Sequence, residues 1–325
     1  MKACIVGAGA IGGWIAGLLS DAGWEVSLLA RGATLAAYRT QGLRVRRGGA
    51  EKVYRLAASD LAGELPQPDY AIIAAKGQSI PGLASAIAAL LVPQTAVVPA
   101  INGIPWWFFQ VAGGPLSGLA LASVDPDGAV ARAIPPERVI GCVMHASAWM
   151  GEPGVIEVQG EDRLIFGEPA GASSARCETL ANAIAGNTVS PVVSPNIRLA
   201  IWTKLWGNMA MNPLSVLTGA TTGPMLDDPG VRGLVRMMML EMKRLGARIG
   251  LALDMTPEGR MEITRKLGDF KTSMLRDAEA GRGIEIEPIL GALVELADRL
   301  EESVPNLRAV LGLVRVREAA RGLPS

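Results

Sequence analysis

The sequence predicts an α/β Rossmann domain with a mostly parallel sheet, followed by an all-α domain. Three observations lead to this prediction. Short apolar runs alternate with helix-period segments in the first third of the chain, which is the pattern of βαβ units. A glycine-rich turn follows the first apolar run. From about residue 195 onward the spacing of the apolar residues is helical.

Length and composition bound the class of protein. The 325 residues exceed the size at which a single core usually stops growing, so we expect two domains, residues 1–194 and 195–325. Lys plus Arg equals Asp plus Glu at 31 each, which favours neither a nucleic-acid nor a membrane partner. Three widely spaced cysteines and one histidine argue against a disulfide framework or a Cys/His metal site, and they fit a reducing cytoplasm.

The elements of the first domain follow from the apolar runs. The stretch 139–167 is β-rich, and we interpret it as the far, antiparallel part of the same sheet. The other strands are expected at 3–6, 26–29, 71–75 and 96–100. Helices are expected at 11–22 and 83–91.

Helix starts in the second domain are marked by capping residues and prolines. Asp228 precedes Pro229, and Thr256 precedes Pro257, as expected where a helix begins. Pro213 should end or kink the helix that precedes it. Two more helices are expected over 288–302 and 305–321.

The glycine-rich turn has the form G-x-G-x-x-G and lies between a predicted strand and a predicted helix. Its first glycine permits a tight turn, its second lets the backbone approach a pyrophosphate, and its third lets helix and strand pack closely. The start of the helix offers free N–H groups to an anion. We therefore expect a dinucleotide site on Gly7, Ala8, Gly9, Ala10, Ile11 and Gly12.

Arg31 indicates which dinucleotide is bound. An enzyme specific for NAD would carry Asp or Glu at the end of the second strand, but here that strand ends at Ala30-Arg31. A guanidinium suits a 2′-phosphate, which predicts NADPH over NADH. The alternative is a solvated arginine at a strand end.

A polar face runs along an otherwise apolar helix. Lys204, Asn208 and Asn212 are four residues apart, so they share one face. Buried polar groups need partners, which suggests a cavity along this face. The alternative is an amphipathic helix with Lys204 in water. Further along, Ser273 and Glu285 are unremarkable on spacing alone.

Four motifs follow one another along the chain: Gly7-x-Gly9-x-x-Gly12, Asn102-Gly103, Lys204-x-x-x-Asn208-x-x-x-Asn212-Pro213, and Ser273-Met274-Leu275-x-Asp277 followed by Glu285. In this order they resemble the ketopantoate reductase family over nearly the whole chain. The last two are fairly specific to that family.

The resemblance implies a fold, an activity and partners. The expected fold is a Rossmann domain followed by helices like those of 6-phosphogluconate dehydrogenase, with the active site in the cleft between them. The expected activity is NADPH-dependent reduction of a small 2-oxo acid, with ketopantoate (2-dehydropantoate) favoured, giving pantoate for pantothenate and coenzyme A. The implied enzyme is cytoplasmic, and a homodimer is compatible with it.

The resemblance also implies roles for individual residues. Lys204 resembles the general acid, and Asn102 the group near the nicotinamide that positions lysine and substrate. Glu285 resembles the carboxylate that engages both substrate and cofactor. Lys76 matches a family lysine at the cofactor site. Asn208, Asn212 and Ser273 resemble substrate contacts.

Three features depart from the family pattern and leave other functions open. The residues after Lys76, Gly77-Gln78, do not have the family's usual spacing from that lysine to a glutamine or aspartate. Thr222-Gly223 stands where some members have Asn-Gly. The bulky pair Trp106-Trp107 follows the Asn102-Gly103 turn and would narrow or line the cleft. The alternatives are a related dehydrogenase of another hydroxy acid, 2-oxo acid or opine, and a non-catalytic NADP(H)-binding protein.

Overall fold

The chain forms two compact units. A computed structural model describes residues 1–111, 116–186 and 188–322. One unit consists of Met1–Ile101 with Gly128–Ala200, and the other of Asn102–Asp127 with Ile201–Ser325. This division differs from a single boundary after residue 194, because the segment 102–127 packs with the helical unit.

Backbone hydrogen bonds attach the segment 102–127 to the helical unit. The N–H of Ile104 donates to the carbonyl oxygen of Pro288 at 2.8 Å. The N–H groups of Ala122 and Ser123 donate to the two carboxylate oxygens of Glu295, both at 2.8 Å. The partners are more than 170 residues apart in sequence, so no local pattern could predict this attachment.

The first sheet has five strands, all parallel, in the order β5-β2-β1-β6-β7. Apart from their first residues, β1 and β2 are buried, as are β6 and β7 throughout. Burial of this kind explains their nearly continuous apolar runs. The predicted parallel sheet is confirmed. Its strands are β1 (Lys2–Val6), β2 (Glu25–Leu29), β5 (Ala57–Ser59), β6 (Tyr70–Ile73) and β7 (Ala96–Pro99).

The second sheet corrects one expectation. The β-rich stretch after residue 139 does not extend the first sheet, which it meets at a single bridge between Val97 and Val139. It forms a long hairpin, and the second strand of that hairpin pairs in parallel with Arg44–Arg47. The order is β10-β9-β3-β4, with β8 also on β9. The strands are β3 (Leu43–Arg47), β4 (Ala50–Tyr54), β8 (Gly141–Glu152), β9 (Val155–Gly167) and β10 (Val189–Val193).

One helix of the first unit lies between the two sheets. At Gly12 an added Cβ would lie 2.8 Å from Ile5 of the first sheet. At Gly13 it would lie 2.7 Å from Ile156 of the second sheet. Adjacent glycines therefore allow close packing on both sides. The helices of this unit are α1 (Ala10–Asp21), α2 (Gly32–Gln41), α3 (Ile80–Leu90), α4 (Ala129–Ala133) and α5 (Ala175–Ile184).

The second unit is helical, as predicted, and some of its helices begin at a capping side chain. The side chains of Asp228, Thr256 and Thr272 each accept a hydrogen bond from a backbone N–H in the first turn of a helix. Among the described helices, none combines the length and apolarity that a bilayer span requires. The helices are α6 (Ile197–Thr218), α7 (Thr222–Asp227), α8 (Pro229–Arg248), α9 (Pro257–Lys266), α10 (Ser273–Glu279), α11 (Ala292–Arg299) and α12 (Pro305–Ala320), with a π-helical segment at Glu287–Gly291.

Pro213 does not end α6, which continues to Thr218. A proline in a helix removes one backbone hydrogen bond, and burial of the surrounding apolar residues offsets this loss. The turn is also held by Ser215, whose hydroxyl donates to the carbonyl oxygen of Asn212 at 2.7 Å.

Candidate active site

The glycine-rich turn has one glycine at which an added side chain would meet open space. Gly7 has φ +85°, and a Cβ there would lie 2.7 Å from the backbone nitrogen of Ala75. At Gly12 a Cβ would lie 2.5 Å from the carbonyl oxygen of Gly7. At Gly9 no atom lies within 4 Å. The first and third glycines therefore serve packing, while the second leaves space beside the N-terminus of α1.

The rest of the turn is fixed by its neighbours. Gly7 donates its N–H to the carbonyl oxygen of Leu29 at 3.1 Å. The Tyr38 hydroxyl donates to the carbonyl oxygen of Ala8 at 2.6 Å, which anchors the turn to α2. Ala10 and Ile11 begin α1. The strand-turn-helix context that the motif requires is therefore present.

Arg31 and Lys76 lie at the same edge of the first sheet as this turn. Arg31 is the exposed residue that precedes α2, just beyond β2. Lys76 follows β6 and precedes a short 3₁₀ turn at Gly77–Ser79, and it is partly buried. Because β2 and β6 flank β1 and all three are parallel, their carboxyl ends share one edge. Ligands of open α/β sheets bind at this edge.

A chain of three polar side chains lies within the helical unit. The ammonium group of Lys204 donates to Oδ1 of Asn102 at 2.9 Å. Nδ2 of Asn102 donates to Oε2 of Glu285 at 3.1 Å. Three residues spread over 183 positions of sequence are thus joined, and all three were predicted as site residues. The amide orients both charged groups.

The backbone around Asn102 explains how its side chain is held. Gly103 has φ +82°, and a Cβ at that position would lie 2.9 Å from Cβ of Pro288. The carbonyl oxygen of Pro288 accepts the N–H of Ile104. Pro288 belongs to the π-helical segment that begins two residues after Glu285. The turn that carries Asn102 is therefore docked on the segment that carries Glu285.

An ion pair stabilises this π-helical segment. Arg315 of α12 donates from both ends of its guanidinium to the carboxylate of Glu287, at 2.7 and 2.6 Å. Such two-point pairs fix orientation as well as distance. π-helical turns are rare and occur often at functional sites.

The polar face of α6 is partly or fully buried, as predicted. Lys204 and Asn208 are partly buried, and Asn212 is 6% exposed. Within the described part of the chain, the side-chain amides of Asn208 and Asn212 make no hydrogen bond. None of their amide atoms is fully enclosed by protein, so both amides are accessible to a ligand.

Ser273 is brought toward Asn212 by a hydrogen-bonded pair of hydroxyls. The Ser215 and Thr272 hydroxyl oxygens are 2.6 Å apart, and both residues are buried. Thr272 accepts from the N–H of Leu275 and so caps α10. Ser273, the first residue of α10, is exposed. The start of α10 is therefore fixed against the turn of α6 that carries Asn212.

Two departures from the family pattern are structural in this chain. The hydroxyl of Thr222 accepts the N–H of Phe270 at 3.2 Å and donates to the carbonyl oxygen of Gly268 at 3.4 Å, so its polar capacity is used. Trp106 and Trp107 are 4% and 1% exposed. They belong to the core of their own unit, together with Phe108, which stacks on Trp202.

Arg260 was not predicted as a site residue. Its guanidinium lies against α6, where a Cβ added to Gly207 would be 2.8 Å from its Cζ and 3.1 Å from its Nε. It donates to the hydroxyl of Thr264 at 3.1 Å. Burial lowers the pKa of Arg260 below its ordinary value. The one feature of the sequence that could have pointed to this contact is Gly207, because a glycine in the middle of a helix usually has a packing or functional reason.

Comparisons with known proteins agree over the whole chain. Residues 3–171 match the family model "Ketopantoate reductase PanE/ApbA", and residues 196–318 match its C-terminal partner. A 2-dehydropantoate 2-reductase from Mesorhizobium japonicum is 41% identical, with 99% of each chain covered.

Solved structures give the same result. A candidate ketopantoate reductase from Ralstonia solanacearum MolK2 is 43% identical, with a TM-score of 0.95 and 99% of each chain covered. A 2-dehydropantoate 2-reductase from Methylococcus capsulatus is 30% identical, with a TM-score of 0.84, covering 100% of this chain and 99% of that one. The chain therefore belongs to the ketopantoate reductase family.

Proposed function

We propose that this chain is an NADPH-dependent reductase that converts 2-dehydropantoate to pantoate. The observation that carries the proposal is the chain of hydrogen bonds from Lys204 through Asn102 to Glu285. Family membership and the 41% identity to a 2-dehydropantoate 2-reductase support the choice of substrate.

The residues at the first sheet's carboxyl edge fit a dinucleotide. The open space at Gly9 and the N-terminus of α1 suit a pyrophosphate. The exposed guanidinium of Arg31 suits a 2′-phosphate, and Lys76 adds a second positive charge at this edge. The cofactor, when bound, supplies the hydride that reduces the C2 carbonyl carbon.

Lys204 acts as the general acid in this proposal. Negative charge grows on the carbonyl oxygen as the carbon is reduced, and an ammonium group stabilises that charge and donates the proton. Asn102 accepts one hydrogen bond from the ammonium and so fixes the direction of the Lys204 side chain. Lysine only donates and an ionised carboxylate only accepts, so Asn102 has one consistent orientation between them.

The remaining polar residues bind substrate in this proposal. The amides of Asn208 and Asn212 offer donors and acceptors to the carbonyl and hydroxyl groups of the oxo acid. Ser273 adds a hydroxyl from the start of α10. Glu285 engages both substrate and cofactor, and its bond to Asn102 fixes one of its oxygens.

Location and assembly belong to the same proposal. Three free, buried cysteines suit the reducing cytoplasm, where a biosynthetic reductase finds NADPH. A ketopantoate reductase of this fold from Staphylococcus aureus is described as dimeric, and we infer that this chain also forms a homodimer. Light scattering coupled to size exclusion gives the mass that tests this inference.

Turnover by the purified protein tests the proposed function. NADPH oxidation is followed at 340 nm with 2-dehydropantoate and with a panel of other aliphatic and aromatic 2-oxo acids. We expect the highest kcat/KM for 2-dehydropantoate. A higher value for another acid would contradict the substrate assignment. Tight NADPH binding without turnover of any acid would indicate a non-catalytic NADP(H)-binding protein.

A further inference from the structure

Arg260 is a half-buried cation that has no acidic partner among the residues the structure describes. Within the described part of the chain its guanidinium forms no ion pair, and its hydrogen bond goes to the neutral hydroxyl of Thr264 on its own helix. Other arginines near α9 are paired, Arg265 with Asp227 at 2.7 Å and Arg236 with Glu258 at 2.6 Å. Arg260 therefore differs from these neighbouring arginines, each of which has an acidic partner.

Two energetic costs coincide where Arg260 meets α6. Removing a guanidinium from water without a counter-ion is unfavourable. Glycine in the middle of a helix is unfavourable relative to alanine, and a side chain at Gly207 would displace the guanidinium from this position. Residues that are unfavourable for stability occur mostly at functional sites. The combination of Gly207 and Arg260 therefore indicates that the guanidinium binds a ligand.

Gly207 places the guanidinium beside the polar face of α6. It lies three residues after Lys204, which is the residue of that face nearest to it around the helix axis. Residues three apart are neighbours on a helix surface, with about 5–6 Å between their Cβ positions. Gly207 has no side chain, so the space next to Lys204 is filled by the guanidinium of Arg260 instead.

We propose that Arg260 binds the carboxylate of the 2-oxo acid substrate. This inference rests on the proposed function and deepens it. The carboxyl carbon of such an acid is bonded directly to the carbonyl carbon. The group that binds the carboxylate must therefore lie near the group that protonates the carbonyl oxygen, and Arg260 lies at Gly207, which is a helix-surface neighbour of Lys204.

The chemistry of the neighbouring residues favours Arg260 for this role. A guanidinium matches a carboxylate with two parallel hydrogen bonds. Asn208, Asn212 and Ser273 are neutral, and the ammonium of Lys204 is assigned to the carbonyl oxygen. Glu285 has the same charge as the substrate carboxylate. Arg260 thus provides the counter-charge that the substrate needs, and the substrate provides the one that Arg260 lacks.

Kinetics of Arg260→Gln and Arg260→Lys test the proposal. We expect Arg260→Gln to raise the KM for 2-dehydropantoate about 10- to 100-fold while the Kd for NADPH stays unchanged, because one charge-assisted pair is lost. Arg260→Lys keeps the positive charge but not the two parallel N–H donors, so the KM should rise less than in Arg260→Gln. The matched control is Arg236→Gln, which removes an exposed arginine and should leave KM unchanged.

An uncharged substrate separates carboxylate binding from a structural role. The wild type should prefer the acid to the amide of the same 2-oxo acid, and Arg260→Gln should lose most of this preference. The melting temperature should not fall, since an unpaired cation leaves the protein. An unchanged acid-to-amide preference in Arg260→Gln would overturn the proposal.

A binding measurement keeps this proposal distinct from the proposed function. Pantoate is titrated calorimetrically into wild type and Arg260→Gln, each loaded with NADP. We expect at least tenfold weaker binding in the variant. Equal binding in both proteins would contradict the role of Arg260, whatever the turnover. Absence of turnover in the wild type would instead contradict the proposed function.

Discussion

Lys204 donates a hydrogen bond to Oδ1 of Asn102 at 2.9 Å, and Nδ2 of Asn102 donates a hydrogen bond to Glu285 at 3.1 Å. The amide thereby links an ammonium and a carboxylate that come from distant segments of the chain. The amide oxygen is a neutral acceptor, so its hydrogen bond fixes the position of the ammonium and leaves its positive charge unneutralised by that contact. The geometry favours a lysine held for proton donation.

Replacing Asn102 tests this spacing. We expect Asn102→Ala to lower kcat about 100-fold, because misplacement of a catalytic group by about 1 Å has an effect of that size. The Kd for NADPH and the melting temperature should change little. Stopped-flow measurement of NADPH oxidation gives the rate of the chemical step. A rate close to that of the wild type would show that Asn102 does not position Lys204.

Two glycines of the first turn should behave differently when changed to alanine. Gly9→Ala adds a Cβ in open space, so the melting temperature without cofactor should be unchanged while the Kd for NADPH rises at least tenfold. Gly12→Ala places a Cβ 2.5 Å from a backbone oxygen, so it should lower the melting temperature. Calorimetry and NADPH fluorescence measure both. Unweakened NADPH binding by Gly9→Ala would exclude the turn as the pyrophosphate site.

Arg31 should set the choice between NADPH and NADH. Arg31→Ala removes the proposed partner of the 2′-phosphate, so we expect the KM for NADPH to rise about 10- to 100-fold and that for NADH to change little. Arg39→Ala is the control within α2, the helix that Arg31 precedes, and there the Arg39 guanidinium donates to a backbone oxygen. If Arg31→Ala leaves the KM for NADPH unchanged, Arg31 is a solvated strand-end residue.

The Glu168 carboxylate predicts a pH dependence of stability. Burial alone would raise its pKa, but hydrogen bonds from Arg176 and Ser174 outweigh burial, so the pKa of Glu168 is lowered. A lowered folded-state pKa gives stability that is present above the unfolded value of about 4.3. That stability is lost as the pH falls through the folded-state value.

Glu168→Gln isolates this contribution. At pH 7 we expect the variant to unfold with about 1.5–3 kcal/mol less free energy, the usual contribution of hydrogen bonds to a charged group. The difference should shrink below about pH 4 as the wild-type carboxylate is protonated. Urea unfolding at several pH values measures it. A difference independent of pH would show that the charge of Glu168 does not matter.

Local patterns predict much of the fold and part of the site. The glycine-rich turn and the polar face of α6 each depend on residues close in sequence, and both are confirmed as structural elements. Capped helix starts at Asp228 and Thr256 were predictable for the same reason. Roles for Asn102 and Glu285 came from the family resemblance, since neither stands out by spacing.

What sequence patterns missed depends on long-range packing. The parallel pairing of β3 with β9 joins segments more than 100 residues apart, and it separates the second sheet from the first. The helix α6 continues past Pro213 because buried neighbours offset the lost hydrogen bond. Arg260 has the sequence context of a surface residue. Its position against α6 is seen only in the structure, where its guanidinium lies close to Gly207.

The single-turnover rate of Lys204→Ala tests the central claim most directly. The protein is loaded with NADPH, mixed with 2-dehydropantoate, and followed at 340 nm. We predict a rate about 10²- to 10⁴-fold below that of the wild type, the usual contribution of a positioned proton donor, with unchanged NADPH binding. A rate within about threefold of the wild type, at the same occupancy of NADPH, would contradict the assignment of Lys204 as the general acid.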